Sequence, residues 1–308
     1  MYDLVTGGAG FIGAHLVRRL VDLGRSVRVV DDLSTGNMDR LAPLAGKIEF
    51  VKGDLATMDL CDLVADTARI FHLAAVPSVP RSVKDPLTTH QATATATLRL
   101  LVAARDARVG RFVYSSSSSV YGESTVTPKR EDLPVAPISP YGIAKAAAEG
   151  YTRVFGALYG MSTVSLRYFN VFGPAQDPDS PYAAVIPIFI RRALAGEPLP
   201  VNGDGQQTRD FTYVDNVIEA NLAATTRDVR PGALYNIAAG SPHTILELAH
   251  SVARLAGRES RIVHAPSRPG DILRSHADIS RAAAELGWGP SVGFEEGLRR
   301  TVEWYRAA

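Results

Sequence analysis

Residues 6–13 read Thr-Gly-Gly-Ala-Gly-Phe-Ile-Gly, with glycines at 7, 10 and 13. They stand between a short apolar run, Tyr2 to Thr6, and a segment from Phe11 to Leu23 whose Ile12, Leu16, Leu20 and Leu23 recur at helical spacing. A strand that runs through glycines into a helix forms a cradle, and each glycine has its own task. One permits the tight turn, one lets a pyrophosphate come close, and one lets helix and strand pack closely. The free N–H groups at the helix start suit the anion. An ordinary glycine turn has the same spacing, so the context decides.

Outward from the cradle, strand-like and helical runs alternate. Strands are expected at Ser26 to Val30, Ile48 to Val51, Ile70 to Ala74, Arg111 to Ser115 and Thr163 to Tyr168, and helices from about Leu87 to Ala107 and from Pro140 to Tyr159. This order predicts an α/β fold, a parallel sheet with helices on both faces. Asp31 closes the second strand, where a carboxylate accepts bonds from an adenosine ribose and repels an additional phosphate. NAD is therefore expected rather than NADP, with Asp32 either a second contact or a solvated neighbour. After Phe169 the rhythm changes: residues 173–182 read as loop, Val185 to Leu194 as helix and Val201 to Gly205 as a Gly-rich turn.

The chain has 308 residues, of which 46% are hydrophobic and 21% charged, with 33 basic against 32 acidic side chains and a net charge of +1. That composition excludes disordered and fibrous classes, and it carries no basic footprint for nucleic acid or an anionic membrane. No segment approaches the roughly 18 apolar residues needed to span a bilayer, and Asp3 follows too soon for a secretory leader. Cys61, the single cysteine, cannot form an internal disulfide; it is read as buried and inert, in a reducing, cytoplasmic setting. The seven histidines show no ligand spacing, so no metal is expected. His72 is read as a packed core histidine.

Tyr141 and Lys145 stand four apart in a helical run and therefore share a face. An isolated phenol, with a pKa near ~10, is a poor base at neutral pH. A neighbouring ammonium and a nicotinium charge would bring it into range. The serine run 115–119 falls at a strand end, where open α/β sheets bind ligands.

The Gly-x-x-Gly-x-x-Gly spacing, the Tyr-x-x-x-Lys pair and the blocks after them resemble the extended short-chain dehydrogenase/reductase family over essentially the whole chain. The resemblance implies a Rossmann-type doubly wound parallel sheet (residues 1–168 plus about 212–239) and a smaller α/β nucleotide-sugar lobe (about 169–211 plus 240–308). For the cofactor it implies contacts from Gly7, Gly10, Phe11, Ile12 and Gly13 and from Asp31, Asp32 and Ser34. It adds Asp54-Leu55 at the adenine, Leu73-Ala74-Ala75 along the cleft, and Tyr168 with Phe169 near the nicotinamide. Tyr141 and Lys145 belong to cofactor and catalysis alike. Thr93 stands where relatives carry Asn at the nicotinamide ribose, and Pro77 where they carry Gly.

Ser117, four residues before Tyr121 of Val120-Tyr121-Gly122, is the implied catalytic serine, and Ser118 a sugar contact. Ser118-Ser119 replaces the Asp-Glu of the family's 4,6-dehydratases, which disfavours dehydration. Leu166 to Pro187 resembles UDP-hexose 4-epimerases, most closely those acting on UDP-N-acetylhexosamines, as does Ser78 to Ser82. Asn170, Ala184 and Val185 are implied at the substrate, Arg209 and Arg268 at its diphosphate, Asp271 at the uridine ribose. Ser275 is the implied gatekeeper, small enough to admit an N-acetyl group. The expected activity is thus NAD-dependent C4 epimerisation of a UDP-sugar by a homodimer, the dimer formed through the 87–107 and 140–159 helices. Alternatives are a UDP-glucuronate 4-epimerase, a dehydratase or reductase, and a non-enzymatic NAD sensor.

Overall fold

The computed structural model describes residues 1–178, 183–257, 261–266 and 273–307. Seven strands form its main sheet: β1 (Tyr2–Thr6), β2 (Val27–Asp31), β3 (Ile48–Lys52), β4 (Thr67–His72), β5 (Arg111–Ser117), β6 (Thr163–Tyr168) and β7 (Ala233–Ile237). They lie in the order β7-β6-β5-β4-β1-β2-β3, and every pairing is parallel. The strand order reverses beside β1, so the crevice past its carboxyl end opens at the glycine turn.

Parallel strands buried on both faces alternate between two cores. Val5, Val29, Phe71 and Val113 point to the layer holding the Phe11–Asp22 and Val214–Thr226 helices. Leu4, Val30, Ile70 and Phe112 point to the layer of the Ala96–Asp106 and Pro140–Tyr159 helices. Beyond the sheet, Val185–Ala195, Ile245–Ala256 and Phe294–Ala307 pack around short strand pairs, 199–202 with 262–265 and 208–210 with 242–244.

Several expectations need correction. β4 runs from Thr67 to His72, not from Ile70 to Ala74, because the chain turns at Leu73-Ala74 to pass Gly7, whose Cβ position lies 2.8 Å from the Ala74 nitrogen. β5 extends to Ser117 because Ser115, Ser116 and Ser117 pair with Leu166, Arg167 and Tyr168. The 87–107 helix is divided, Pro86–His90 and Ala96–Asp106 flanking a π-turn at Gln91–Thr95. The 201–205 stretch begins within a strand, Leu199–Asn202, and only then turns. Cys61 is exposed rather than buried. The strand β7 and the helices at 214–226, 245–256 and 294–307 were not anticipated at all.

Candidate active site

The positions of Tyr141 and Lys145 are set by the start of one helix. Ser139 caps it, its Oγ accepting from the Gly142 N–H at 3.1 Å, and Pro140 occupies the first turn. A Cβ on Gly142 would stand 2.9 Å from the Ser119 carbonyl oxygen. Glycine there lets the helix press onto the turn that follows β5, which brings Tyr141 to Ser117. The Ser117 hydroxyl lies near the Tyr141 phenol and works against burial, which holds that phenol above its ordinary pKa. Ser117 Oγ also accepts from the Ser119 N–H at 3.2 Å and the Ser119 hydroxyl at 3.0 Å. Ser118 begins the same short turn and is half-buried.

Lys145, one helical turn on, is 3% exposed; its Nζ donates to the Ser115 carbonyl at 2.6 Å and lies 5.1 Å from the Tyr114 ring centroid. Burial brings its pKa down from 10.5 to about 7. Between those two values the unfolded chain binds the proton and the folded chain does not, so stability rises with pH across that window. In the cofactor-free protein, Lys145→Met is expected to abolish this slope and to raise the melting temperature at pH 7, while activity falls by about 10²-fold or more. Thermal unfolding at pH 7 and 9.5 checks this; equal slopes in both proteins contradict it.

The cofactor cleft is built as a dinucleotide requires. A Cβ on Gly13 would sit 2.1 Å from the Gly7 carbonyl oxygen, whereas beside Gly10 only that same oxygen lies near, at 3.1 Å. The first helix therefore packs hard on the turn and leaves room above Gly10 for a diphosphate, with Phe11 and Ile12 in its first turn. Asp31 is nearly buried, one oxygen accepting from the Ala9 N–H and the other from the Leu33 N–H, each at 2.9 Å; burial nevertheless keeps its pKa raised. Asp32 and Ser34 are exposed and bonded to each other. Asp54 is exposed and Leu55 buried just past β3, and Leu73, Ala74 and Ala75 line the turn after β4.

A proton-ordered chain that sequence reasoning missed lies behind that turn. The Thr97 hydroxyl donates to the Thr93 carbonyl at 2.6 Å, so its oxygen accepts from His72 Nε2 at 2.8 Å. His72 Nδ1 is then an acceptor for the Thr6 hydroxyl at 2.7 Å, and Thr6 Oγ1 accepts from the Ala74 N–H at 3.1 Å. Burial and the Lys145 charge press the imidazole down to about 3, so it stays neutral in this tautomer. The hydroxyl of Thr93, wholly buried on the π-turn, has no partner within the protein, in keeping with a polar group kept for the cofactor. The donors, the cradle and the carboxylate thus fit NAD.

On the substrate side, Asn170, Ala184, Val185 and Arg209 converge on one cavity of about 280 Å³, together with Gln207 and Phe211. Asn170 has a left-handed backbone (φ 35°) and its Nδ2 donates to the Asp210 carbonyl at 3.1 Å. Ser275 is 8% exposed and joins this region through its N–H to the Thr208 carbonyl at 3.2 Å. Ser78 caps a separate helix, Val79–Lys84. Tyr168 is buried, its hydroxyl donating to Asn221 at 3.0 Å, so only its ring remains for the nicotinamide. Phe169 packs against Tyr121, with centroids 6.1 Å apart. Arg268 and Asp271 lie outside the described residues.

The family model described as NAD dependent epimerase/dehydratase matches residues 4–238. The chain is 41% identical to a UDP-glucose 4-epimerase of Mycolicibacterium smegmatis, over 99% of both chains. It is similar to the solved UDP-N-acetylglucosamine 4-epimerase of Methanobrevibacter ruminantium in complex with UDP-N-acetylmuramic acid (TM-score 0.94, 41% identity, 100% of this chain and 99% of that one). A UDP-glucuronic acid 4-epimerase of Bacillus cereus, solved with its UDP-sugar and NAD, is 32% identical (TM-score 0.92, 100% and 99%). Among the described residues no helix is long and apolar enough to cross a membrane, and no group of three or more His, Cys, Asp or Glu could hold a metal ion.

Proposed function

The chain belongs to the NAD-dependent epimerase/dehydratase family, and on that premise we propose that it is a UDP-sugar 4-epimerase, an isomerase acting on UDP-GlcNAc/UDP-GalNAc, on UDP-Glc/UDP-Gal, or on both. The observation that carries this reading is the Ser117–Tyr141 contact beside a buried Lys145, next to Ser118-Ser119, where elimination would require acids. Residues 1–168 with about 212–239 hold the cofactor in this reading, and about 169–211 with 240–308 the nucleotide sugar.

Tyr141, as the phenolate, takes the proton from the sugar O4, and Ser117 shares the hydrogen bond as charge moves. Gly10, Asp31 and Thr93 would hold NAD, which would supply a reversible acceptor for the C4 hydride. Lys145, in its protonated form, supplies the positive charge that favours phenolate over phenol. Arg209 and Arg268 anchor the diphosphate as planar forks while the 4-keto sugar turns its other face. Tyr141 then gives the proton back to O4, with inversion at C4 and no net redox change.

Ser275 favours the N-acetylated sugars by leaving space, and the resemblance of Ser78 to Ser82 to the N-acetylhexosamine enzymes supports the same choice. A homodimer is part of the same proposal. Ile143, Tyr151, Val154 and Leu158 form an exposed stripe on the Pro140–Tyr159 helix, and Leu87 is 76% exposed on the neighbouring one. Proton NMR of purified protein with UDP-GlcNAc, UDP-Glc and UDP-GlcA in parallel, without added NAD, tests the reading. Conversion of UDP-GlcNAc to its C4 epimer supports it, and turnover of UDP-GlcA alone moves the substrate to the acidic sugars. An accumulating 4-keto-6-deoxy product, or no turnover even with NAD supplied, overturns it. Sedimentation of the same sample as a monomer removes the dimer.

A further inference from the structure

We propose that His15, Arg40 and Tyr305 are positioning residues that latch residues 174–176 across the cofactor cradle and thereby slow the escape of NAD. Three successive carbonyls are held by three side chains from three separate parts of the chain. The Pro174 oxygen accepts from His15 Nε2 at 3.0 Å, the Ala175 oxygen from Arg40 Nε at 3.2 Å, and the Gln176 oxygen from the Tyr305 hydroxyl. A carbonyl can only accept, so the imidazole carries its proton on Nε2.

Two of the three side chains are tied to the cradle itself. Arg40 also donates through Nη1 to the Ala9 carbonyl at 3.2 Å, an oxygen that takes the Asn37 N–H at 2.9 Å as well. Ala9 lies among the cradle glycines, and its own N–H goes to Asp31. One guanidinium therefore spans the phosphate turn and the strap. His15 stands one turn into the phosphate-binding helix, edge-on to Phe11 with centroids 5.6 Å apart. A Cβ on Gly173 would lie 3.5 Å from the Phe11 ring, so the strap rests on the helix start. Tyr305 closes the third side from the last helix, Phe294–Ala307.

The strap is shaped for this place and not relaxed into it. Ala175 adopts φ 64°, a conformation that residues other than glycine rarely hold unless their surroundings over-determine it. Such holding is what three converging donors provide. A reaction that returns its electrons to the substrate gains from a cofactor that never leaves, and this latch acts on that requirement. The inference rests on the family's dependence on NAD, not on which sugar is used.

The test compares wild type, Arg40→Met, Tyr305→Phe and the double variant for NAD content after purification and for the rate of NAD release into a scavenging dehydrogenase. Each single variant is expected to release NAD about tenfold faster, the fold-change that follows from one lost side-chain hydrogen bond. The double variant is expected to purify largely free of NAD, and kcat should return to within about twofold of wild type when NAD is saturating. Release within about twofold of wild type in all variants overturns the latch. So does a kcat that saturating NAD fails to restore, or a wild type that exchanges NAD as fast as its variants. Tyr305→Phe removes one hydroxyl from a surface helix and carries the test should Arg40→Met fail to fold.

Discussion

Tyr141→Phe is expected to lower kcat/KM by about 10³–10⁴-fold, the range for loss of a general acid/base, with NAD still bound at stoichiometric levels. The Tyr141 phenol lies beside Ser117, whose hydroxyl is otherwise an acceptor for Ser119. Removing the phenol oxygen leaves the sugar O4 proton without a base, because Lys145 donates to the Ser115 carbonyl and His72 is held neutral between two threonines. The cradle that holds NAD lies on other elements and is untouched. Steady-state rates with NAD content measured on the same preparation check this; turnover within about tenfold of wild type would sink the proton-transfer role.

Glu149→Gln is expected to cost about 3–5 kcal/mol of stability, the price of leaving one partner of a buried ion pair alone. Glu149 lies on the face of the Pro140–Tyr159 helix that carries Tyr141 and Lys145. Its carboxylate accepts from Arg167 Nε at 2.9 Å, from Arg167 Nη2 at 2.6 Å and from the Ser116 hydroxyl at 2.6 Å. Arg167 is 1% exposed, and its guanidinium lies 4.5 Å from the Tyr121 ring centroid. The Tyr121 hydroxyl donates to Asn236 at 2.7 Å, and Asn236 Nδ2 donates to the Lys129 carbonyl at 2.9 Å. The pair therefore anchors the catalytic helix to β5, β6 and β7 at once. Arg167→Met alone is expected to cost a similar amount, and Glu149→Leu combined with Arg167→Met less than either single change, since an apolar pair of similar volume strands no charge. Denaturant unfolding of the three variants measures it. Single losses below about 1 kcal/mol, or a double variant that loses the sum, contradict it.

The elements legible in the chain were those whose pattern is local. The cradle could be read because Gly7 and Gly13 answer steric demands within eight residues, and the Pro140–Tyr159 helix because Ser139, Pro140 and Gly160 mark its ends. Strand β4 was misplaced because its limits depend on where Ala74 passes Gly7, a contact across 67 positions. The π-turn at 91–95 was invisible for a similar reason: His72, at the end of β4, fixes Thr97, which bonds back to the Thr93 carbonyl. A charged residue inside the apolar run of β6 was the available signal for Arg167, and an acid one turn past Lys145 the signal for Glu149. Neither identifies a partner unless the two are seen together.

By itself, the sequence determined the class of fold and the cofactor and set Tyr141 and Lys145 on one helix face, since each rests on spacing within one turn, one helix or one strand end. Tertiary structure alone decided that Lys145 is buried with a lowered pKa, that Asn170, Ala184, Val185 and Arg209 share a cavity, and that His72, Glu149 and Arg40 tie distant segments together. The reason is physical. Steric and helical periodicities act between neighbours in the chain, whereas desolvation, ion pairing and hydrogen-bond direction depend on which groups the fold brings within a few ångströms.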